Sequence, residues 1–585
     1  MLVLLRLLLF VISTVGTFEL IRKISGDEVN IYFLPSLTIA IQVCVLFLAG
    51  LLNLLPEAVY VLYLVGFVGF IYSICKNKSL SSLKAYLNPG YILTFALLLI
   101  FAVYLRGKVF THYDNYSHWG LVVKRMLETN RYPNFKDTLI QFQEYPLGSS
   151  SYIYFFVKLT KTSESFQMLA QTYVMLAAML SLYSFAKKNH LAVSVVMVSF
   201  VNYVFWYNDE ITDLLVDTLL PLVGICGLLF AYQHCKEGRK IMLGFAACYM
   251  TQVMQIKNSG IYFVIITAIF ILFAANNHHI YICVCRGLCA AAPFLSFLLW
   301  HKHCDYVFES ADTSRHAMTI ESFKAVFGEK TREDIITICT KLLRFAVSYK
   351  EVWITVGICA LIGVLILLTR KELGKVFFKV ALLSIAVYVT YQLGNLGMYL
   401  FSMPGSEATE LASFDRYTKT ILIAILFLNM VPAVMLLSEL SGEKVKTSAA
   451  AACIFMSFFA GMYVSTGSIT TALQDEKTDW EVDFARKRKF LENGKRRYGI
   501  PMHDSYFILI PHEDDGYAIR LGKFIFLTDN VGEALIRSED ELNNISQKYI
   551  FVYDRENEII QNWIQKVYPE QVGNDVIIQP EAERQ

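Results

Sequence analysis

The chain has 585 residues, of which 55% are hydrophobic and only 17% are charged. A typical soluble protein carries about 25% charged residues, and so apolar a chain cannot cover its surface with polar groups. The composition therefore excludes ordinary cytosolic, secreted and nuclear proteins and indicates a polytopic membrane protein. A formal net charge of +2 also excludes a generally basic nucleic-acid binder.

The apolar segments predict a polytopic α-helical membrane protein with about 13 or 14 transmembrane helices, since a spanning helix needs about 20 mostly apolar residues. The apolar N-terminus lacks a basic region and a small-residue cleavage site, so we take it as the first membrane helix. The predicted segments are 2–20, 33–55, 58–75, 90–105, 167–186, 190–206, 214–234, 241–256, 260–275, 280–300, 351–369, 376–400, 419–439 and 448–466.

Basic residues alternate between the short connections, for example at Arg22-Lys23, Lys187-Lys188 and Arg370-Lys371. Basic loops stay on the cytoplasmic side, so this alternation orients the chain in the plasma membrane with its N-terminus outside. The long connections 106–166, 301–350 and 401–418 then all lie on the extracytoplasmic face, as does the tail. Large polar loops gathered on one face predict a functional site there.

The first long loop opens with an acid, Asp114, directly after the fourth apolar segment. A carboxylate at the membrane boundary, flanked by aromatic residues and by His118, can act as a general base on a hydroxyl group. The alternative is an N-cap, because Asp114 precedes residues with helical spacing.

The same loop closes with Glu144-Tyr145-Pro146-Leu147-Gly148, and an aromatic helix follows. The Tyr-Pro-x-Gly pattern predicts a turn that positions a helix entry. Glu144 and Tyr145 would then lie beside Asp114.

Further acids stand at the outer start of the segment 214–234. Asp209, Glu210 and Asp213 are explained equally well by the helix dipole or by a site, and Asp217 lies about one turn deeper. An acid inside a spanning segment is costly and is a functional candidate by default.

Two basic residues also fall on the predicted outer face. Lys257 lies between two apolar runs and departs from the positive-inside trend, unless it reaches lipid phosphate. Arg416, in Ser413-Phe-Asp-Arg-Tyr417, could bind a phosphate through its paired N–H donors. A surface pair between Asp415 and Arg416 is the alternative.

The tail, 467–585, is charged and free of cysteine, and it predicts a small extracytoplasmic α/β domain beside the multi-helix domain 1–466. Residues 506–510 and 549–553 are predicted strands, and the stretches 539–547 and 556–566 are predicted helices. No nucleotide-binding glycine loop is present.

An outer loop that opens on Asp114 and closes on Tyr145-Pro-x-Gly, with the later Ser-Phe-x-Arg-Tyr helix entry, resembles the GT-C fold glycosyltransferases. The resemblance is closest to bacterial members that act on cell-envelope polymers. It implies a polyprenyl-phosphate-linked sugar as donor and Asp114 as catalytic base. The other residues that it implies are Lys257 and Arg416 at the donor phosphate, Asp209 or Glu210 as secondary acids, and His118, Glu144 and Tyr145 in the site lining.

Many members of that superfamily carry Asp-Glu in this loop, whereas Asn115 follows Asp114 here. A divalent metal is therefore possible but not indicated, and no other cofactor is expected. The chemistry fits the predicted topology, because a transferase outside the cytoplasm has no nucleotide sugar and needs a lipid-linked donor. Its partners would be the bilayer, that donor and a glycan or cell-wall polymer as acceptor.

Two other readings of the sequence stay open. A polysaccharide polymerase or ligase also carries large outer loops, often with several arginines. A lipid-glycan flippase or transporter would show charges along a path through the bilayer and repeated halves, and no internal repeat is obvious here.

Overall fold

The computed structural model describes residues 2–77, 80–205, 210–273, 279–308, 320–467 and 479–580. The chain divides into two compact units. The first comprises Met1–Val109, Met126–Asn134 and Phe142–Gln474, and the second comprises Phe110–Arg125, Phe135–Gln141 and Asp475–Gln585. The second unit thus contains two pieces of the first long loop as well as the C-terminal segment.

The α-helices that precede the C-terminal segment are numbered in chain order. They are α1 (Leu2–Ile24), α2 (Leu34–Leu51), α3 (Leu55–Asn77), α4 (Pro89–Tyr104), α5 (Tyr113–Ser117), α6 (Trp119–Thr129), α7 (Gly148–Leu159), α8 (Glu164–Leu180), α9 (His190–Phe205), α10 (Leu219–His234), α11 (Lys240–Met254), α12 (Ile261–Phe273), α13 (Ile280–Val307), α14 (Ile320–Gly328), α15 (Arg332–Ser348), α16 (Lys350–Thr369), α17 (Gly374–Phe401), α18 (Gly405–Thr409), α19 (Phe414–Glu439) and α20 (Lys444–Thr466).

Within the described residues, nine helical spans are long and apolar enough to cross a membrane, and four shorter apolar helices of 10–17 residues accompany them. Each of the fourteen apolar segments predicted from the sequence coincides with one of the α-helices. The chain is therefore a multi-pass helical protein. Within the connection predicted at 301–350, the structure adds the helices α14 and α15.

Helix α19 lies at the centre of the first unit. Of its most apolar 18-residue window, 94% is buried within the protein, against 39% for α1 and 33% for α3. A helix surrounded by other helices has a fixed position, whereas one that faces lipid on most sides is held by fewer neighbours. The first turn of α19 is more accessible: Phe414 is buried, Arg416 and Tyr417 are half-buried, and Asp415 is exposed.

Helices α1 and α3 pack closely through glycine. A Cβ atom built on Gly66 would overlap the backbone carbonyl of Ser13, and one built on Gly16 would overlap the carbonyl of Gly66. Small residues allow this backbone approach, which drives helix association in a membrane where the hydrophobic effect does not.

We expect Gly66→Val to destabilise the first unit, because overpacking costs about 1–3 kcal/mol and here the clash is with backbone. Gly244→Val in α11 is the matched control, since nothing lies within 4 Å of a Cβ at Gly244. The measurement is the melting temperature of the purified full-length protein in detergent. Equal melting temperatures for the two variants would contradict the close α1–α3 contact.

The C-terminal part of the second unit is a four-stranded sheet with helices. The strands are β1 (Tyr506–Leu509), β2 (Val531–Ala534), β3 (Tyr549–Val552) and β4 (Val576–Ile578), and the helices are α21 (Asp479–Arg497), α22 (Tyr517–Phe526), α23 (Glu539–Asn543) and α24 (Glu558–Val567). The order is β2-β1-β3-β4, in which β2, β1 and β3 are parallel and β4 runs antiparallel to β3.

The two predicted strands and the two predicted helices of the tail are confirmed by β1, β3, α23 and α24, although α23 ends earlier than expected. Strand β3 is buried along its whole length because it lies inside the sheet. Leu509, Ile550 and Trp563 are part of one buried core cluster. The tail is therefore a small α/β structure, as predicted.

Candidate functional site

Two cationic residues from separate parts of the first unit meet at the carboxylate of Asp217. Lys257 Nζ lies 2.9 Å from Asp217 Oδ1, and Arg416 Nε lies 3.4 Å from Asp217 Oδ2. The side chains of Asp217, Lys257 and Arg416 are 7%, 13% and 26% exposed. The two cations predicted to bind a donor phosphate thus share one buried carboxylate.

Irregular backbone positions this cluster. Asp217 precedes α10, which begins at Leu219, so the prediction that Asp217 lies a turn inside the helix is wrong. Pro221 explains the late start, since proline is tolerated in the first turn of a helix but not further in. Lys257 has extended backbone, with φ −160° and ψ 150°, in the connection from α11 to α12. Arg416 lies in the first turn of α19, after Ser413 in left-handed conformation.

Tyrosines surround the two cations. Lys257 Nζ lies 5.5 Å from the ring centroid of Tyr417, and Arg416 Cζ lies 5.7 Å from it. Burial raises the pKa of Tyr145, which lies near Lys257 and Asp217, so this phenol stays neutral and can donate a hydrogen bond. Burial alone would lower the pKa of Lys257, but the charge of Asp217 outweighs it and keeps the amine protonated.

Three residues close to Asp217 or Lys257 in the chain carry polar atoms without partners. Thr218 Oγ1, Gln255 Oε1 and Asn258 Oδ1 are buried and have no hydrogen-bond partner among the described residues. Thr218 adjoins Asp217, and Asn258 adjoins Lys257. Buried polar groups are normally hydrogen-bonded, and leaving one unsatisfied costs about 1–3 kcal/mol. Unsatisfied atoms on residues that neighbour Asp217 and Lys257 in the chain are expected where a polar ligand supplies the missing contacts.

The turn that closes the first long loop is held against this cluster. The backbone N–H of Gly148 donates to the carbonyl of Gln255 at 2.6 Å, and a Cβ at position 148 would overlap the backbone of Gln255. On the other side, Trp300 Nε1 donates to the carbonyl of Glu144 at 2.8 Å. The glycine of the Tyr-Pro-x-Gly pattern therefore permits a close approach that fixes Tyr145.

Glu144 lies near Asp305 at the end of α13, where further polar atoms are buried. Glu144 Oε2, His301 Nε2 and His303 Nε2 are buried atoms without a hydrogen-bond partner in the described part of the chain. Burial and the neighbouring carboxylate of Asp305 raise the pKa of Glu144. Its carboxyl group is thereby made more basic, and it lies one residue from Tyr145.

Asp114 and His118 lie in the second unit. Asp114 is half-buried in the first turn of α5, and its backbone N–H donates to His112 Nδ1 at 3.1 Å. The N-cap is therefore His112, and the alternative interpretation of Asp114 as the cap is wrong. Burial and the Asp114 charge raise the pKa of Tyr517. His118 is buried and meets the Trp119 ring edge-on at 4.6 Å.

The two predicted secondary acids stay predictions. Asp209 lies outside the described residues, and Glu210 begins a short 3₁₀ turn, Glu210–Thr212. Asp217 occupies the position between the cations instead. Among the residues that the structure describes, no three His, Cys, Asp or Glu side chains are grouped to hold a metal ion.

Comparison with known proteins gives no relative: no family model matches the chain, and no curated protein matches it significantly. The site therefore has to be judged on its geometry. Sequence reasoning missed Tyr417, His301 and Asp305 as neighbours of the site. The available signal was weak. His301 and Asp305 fall just after the predicted end of the apolar segment at 300, so the sequence placed them in a loop.

Proposed function

We propose that the chain is an inverting glycosyltransferase of the GT-C type that moves a sugar from a polyprenyl-phosphate donor to a cell-envelope glycan. The observation that carries this proposal is the convergence of Lys257 and Arg416 on Asp217 in a largely apolar unit. Lys257 and Arg416 are separated by 159 positions, so the fold alone brings them together.

The two cations suit a leaving phosphate. A guanidinium group offers paired N–H donors and an ammonium group adds a compact charge, so a phosphate monoester can bridge them. Charge on the phosphate increases as the glycosidic bond breaks, and donors fixed in advance stabilise that charge. Tyr145 adds a neutral phenol near the cations.

An apolar cavity of about 300 Å³ lies further along α19 and supports a lipid-linked donor. It is bounded by α16, α17 and α19, and Leu422, Ile425 and Asn429 of α19 line it. With a rise of about 1.5 Å per residue, these positions lie about 9–20 Å from Arg416 along the helix. A phosphate held at Arg416 could place its isoprenoid chain there.

In the proposed reaction Asp114 is the general base. The carboxylate takes the proton of an acceptor hydroxyl, whose oxygen attacks the anomeric carbon. The bond from that carbon to the phosphate oxygen breaks, and polyprenyl phosphate leaves. One displacement inverts the anomeric configuration. The reaction is assigned to the extracytoplasmic face of the plasma membrane, following the distribution of basic loops.

The test is the glycan and lipid profile of cells in which the coding sequence is deleted. We expect one sugar substituent to disappear from the envelope polymer while its backbone persists. The corresponding polyprenyl-phosphate monosaccharide should accumulate, and the intact coding sequence should restore the profile.

The competing functions predict different profiles. A polymerase or ligase would leave short glycans on a lipid diphosphate, and a flippase would leave the lipid-linked sugar on the cytoplasmic leaflet. Either result, or an unchanged profile, would contradict the proposed transfer.

A further inference from the structure

The sheet of the second unit has a topological switch point. From β1 the chain passes through α22 to β2 on one side, and from β2 through α23 to β3 on the other side of β1. In open parallel sheets, connections that leave in opposite directions open a crevice at the carboxyl ends of the strands, where ligands bind. Here that crevice is expected at the ends of β1 and β3.

A cluster of polar side chains lies at those strand ends. Lys487 of α21 reaches Asp514, which follows β1, with Nζ 2.8 Å from Oδ2, and its Nζ lies 3.0 Å from Asp483 Oδ2. The hydroxyl of Tyr553, which follows β3, donates to Asp483 Oδ1 at 2.9 Å. His512 Nε2 lies 3.5 Å from Asp483 Oδ2.

The cluster is buried at one end and open at the other. The side chains of Lys487 and Asp514 are 4% and 5% exposed, whereas those of Asp483 and His512 are 28% and 58% exposed. Asp514 Oδ1 is buried and has no hydrogen-bond partner in the described structure. A deep acceptor without a donor, behind accessible polar groups, is an arrangement that a hydrogen-bonding ligand would complete.

The chemistry of the cluster favours a neutral ligand rich in hydroxyl groups. An anion would meet Glu513, Asp514 and Asp515 at the position where phosphate sites have glycines. A metal ion would need a ligand group that is not found among the described residues. Carboxylate acceptors, an ammonium donor and a tyrosine ring together match the alternating hydroxyls and apolar faces of a sugar.

We propose that this edge of the sheet, lined by Asp483, Lys487, His512, Asp514 and Tyr553, is a carbohydrate-binding site. That the carbohydrate is the acceptor glycan rests on the proposed function, whereas binding itself does not.

Glu533 of β2 is the alternative donor for Asp514. Burial and the Asp514 charge raise the pKa of Glu533 to about 7, so this carboxyl group carries a proton through much of the acid range. The two alternatives predict different results for Asp514→Asn. The substitution weakens carbohydrate binding if Asp514 contacts the ligand, and it leaves binding unchanged if Asp514 only shares a proton with Glu533.

The test uses full-length protein in detergent on an array of immobilised bacterial oligosaccharides at pH 8 with EDTA, followed by titration of the strongest binder. We expect Asp483→Asn, Asp514→Asn and Tyr553→Phe each to weaken binding about tenfold. Each substitution removes a hydrogen bond to a sugar hydroxyl, or removes a group that holds such a hydrogen-bonding side chain in place. Tyr553→Phe is the mildest change and stays informative if an aspartate variant fails to fold.

Asp504→Asn is the matched control. Asp504 precedes β1 at the opposite edge of the sheet, is 28% exposed like Asp483, and has a lysine partner, Lys548 Nζ, at 3.5 Å. The Asp504→Asn variant should bind the oligosaccharide as tightly as the unmodified protein does. Absence of binding to any oligosaccharide, loss of binding caused by EDTA alone, or equal effects of Asp483→Asn and Asp504→Asn would overturn the site. The Arg416→Gln variant should bind the array normally, because Arg416 belongs to the proposed donor site and not to this one. A failure of the proposed sugar transfer and a failure of this binding site can therefore be told apart.

Discussion

Cells that carry Asp114→Asn, matched for protein level, should show at least a 100-fold fall in transfer of the sugar, because a general base contributes about 10²–10⁴-fold. Asparagine keeps the size and polarity of the side chain but cannot accept the proton of the acceptor hydroxyl. The measurement is the mass profile of envelope glycans and lipid-linked sugars. The polymer backbone should persist, and the lipid-linked monosaccharide should accumulate.

Asp540→Asn is the control for this variant. Asp540 is exposed and stands in the first turn of α23, as Asp114 does in α5, so both substitutions remove an acid from a helix N-terminus. Such an acid contributes about 0.3–1 kcal/mol to a helix, too little for a 100-fold loss of transfer. Equal profiles for Asp114→Asn and Asp540→Asn would contradict the assignment of Asp114 as the base.

Removing the whole tail would be a poorer experiment than these point variants. The segment with Asp114 belongs to the same compact unit as residues 475–585. Tyr116 packs against Phe484 and Phe524 with ring centroids 5.5 and 5.1 Å apart, and Arg520 Nε donates to the Tyr113 hydroxyl at 2.7 Å. A truncation near Gly467 would therefore strip α5 of its packing partners and abolish activity for a structural reason.

The helices could be predicted from sequence because each apolar segment satisfies its own backbone hydrogen bonds within the membrane. Hydropathy is a local property, and it placed both ends of every apolar segment within seven residues of the ends of its helix, the largest difference being 300 against Val307 for α13. The start of α10 was misplaced because the run 214–216, Leu-Leu-Val, is as apolar as the helix that follows. Only the effect of Pro221 on the backbone separates the two.

The tail shows the same limit in another form. Strands β1 and β3 are short, strongly apolar runs, and sequence patterns identify such runs well. Strand β2 reads Val-Gly-Glu-Ala, which is not a strand pattern, and it is a strand because it pairs in parallel with β1. The local sequence of β2 does not indicate that it pairs with β1.

The site could be predicted only in part, because its members meet through tertiary structure. Lys257 and Arg416 were identified singly, from an unusual charge and from a motif. Their shared partner Asp217 is separated from them by 40 and 199 positions, and no local spacing records such a contact. The role of Asp217 between the two cations therefore needed the fold.

The second large effect is expected for Arg416→Gln and Lys257→Met. Each removes a charged hydrogen-bond donor from the proposed leaving group, a contact that contributes about 1.5–3 kcal/mol, so each should lower transfer about 10- to 100-fold. The lipid-linked monosaccharide isolated from deletion cells serves as donor for full-length protein in nanodiscs, and kcat and KM are measured separately.

Arg370→Gln is the matched control for Arg416→Gln. Arg370, which follows α16, is also 26% exposed and is also paired with a carboxylate, that of Glu443 directly before α20. The carboxylate of Glu443 is 33% exposed against 7% for Asp217, so loss of this pair should cost little, as accessible ion pairs contribute about 0–1 kcal/mol. A similar fall in transfer for Arg370→Gln and Arg416→Gln would show that the loss comes from a weakened helix bundle.

Asp217→Asn separates a phosphate site from an ion pair that serves only the fold. If Lys257 and Arg416 bind donor phosphate, Asp217 competes with that phosphate for the cations. Its neutralisation should then lower KM for the donor, while kcat falls because the cations lose their orientation.

If the cluster is structural, breaking a buried pair costs about 3–5 kcal/mol whichever partner is changed. Asp217→Asn and Lys257→Met would then lower the melting temperature alike, and neither would change donor KM. Opposite changes in donor KM for the two variants, at similar melting temperatures, are expected only when a phosphate shares the cations with Asp217.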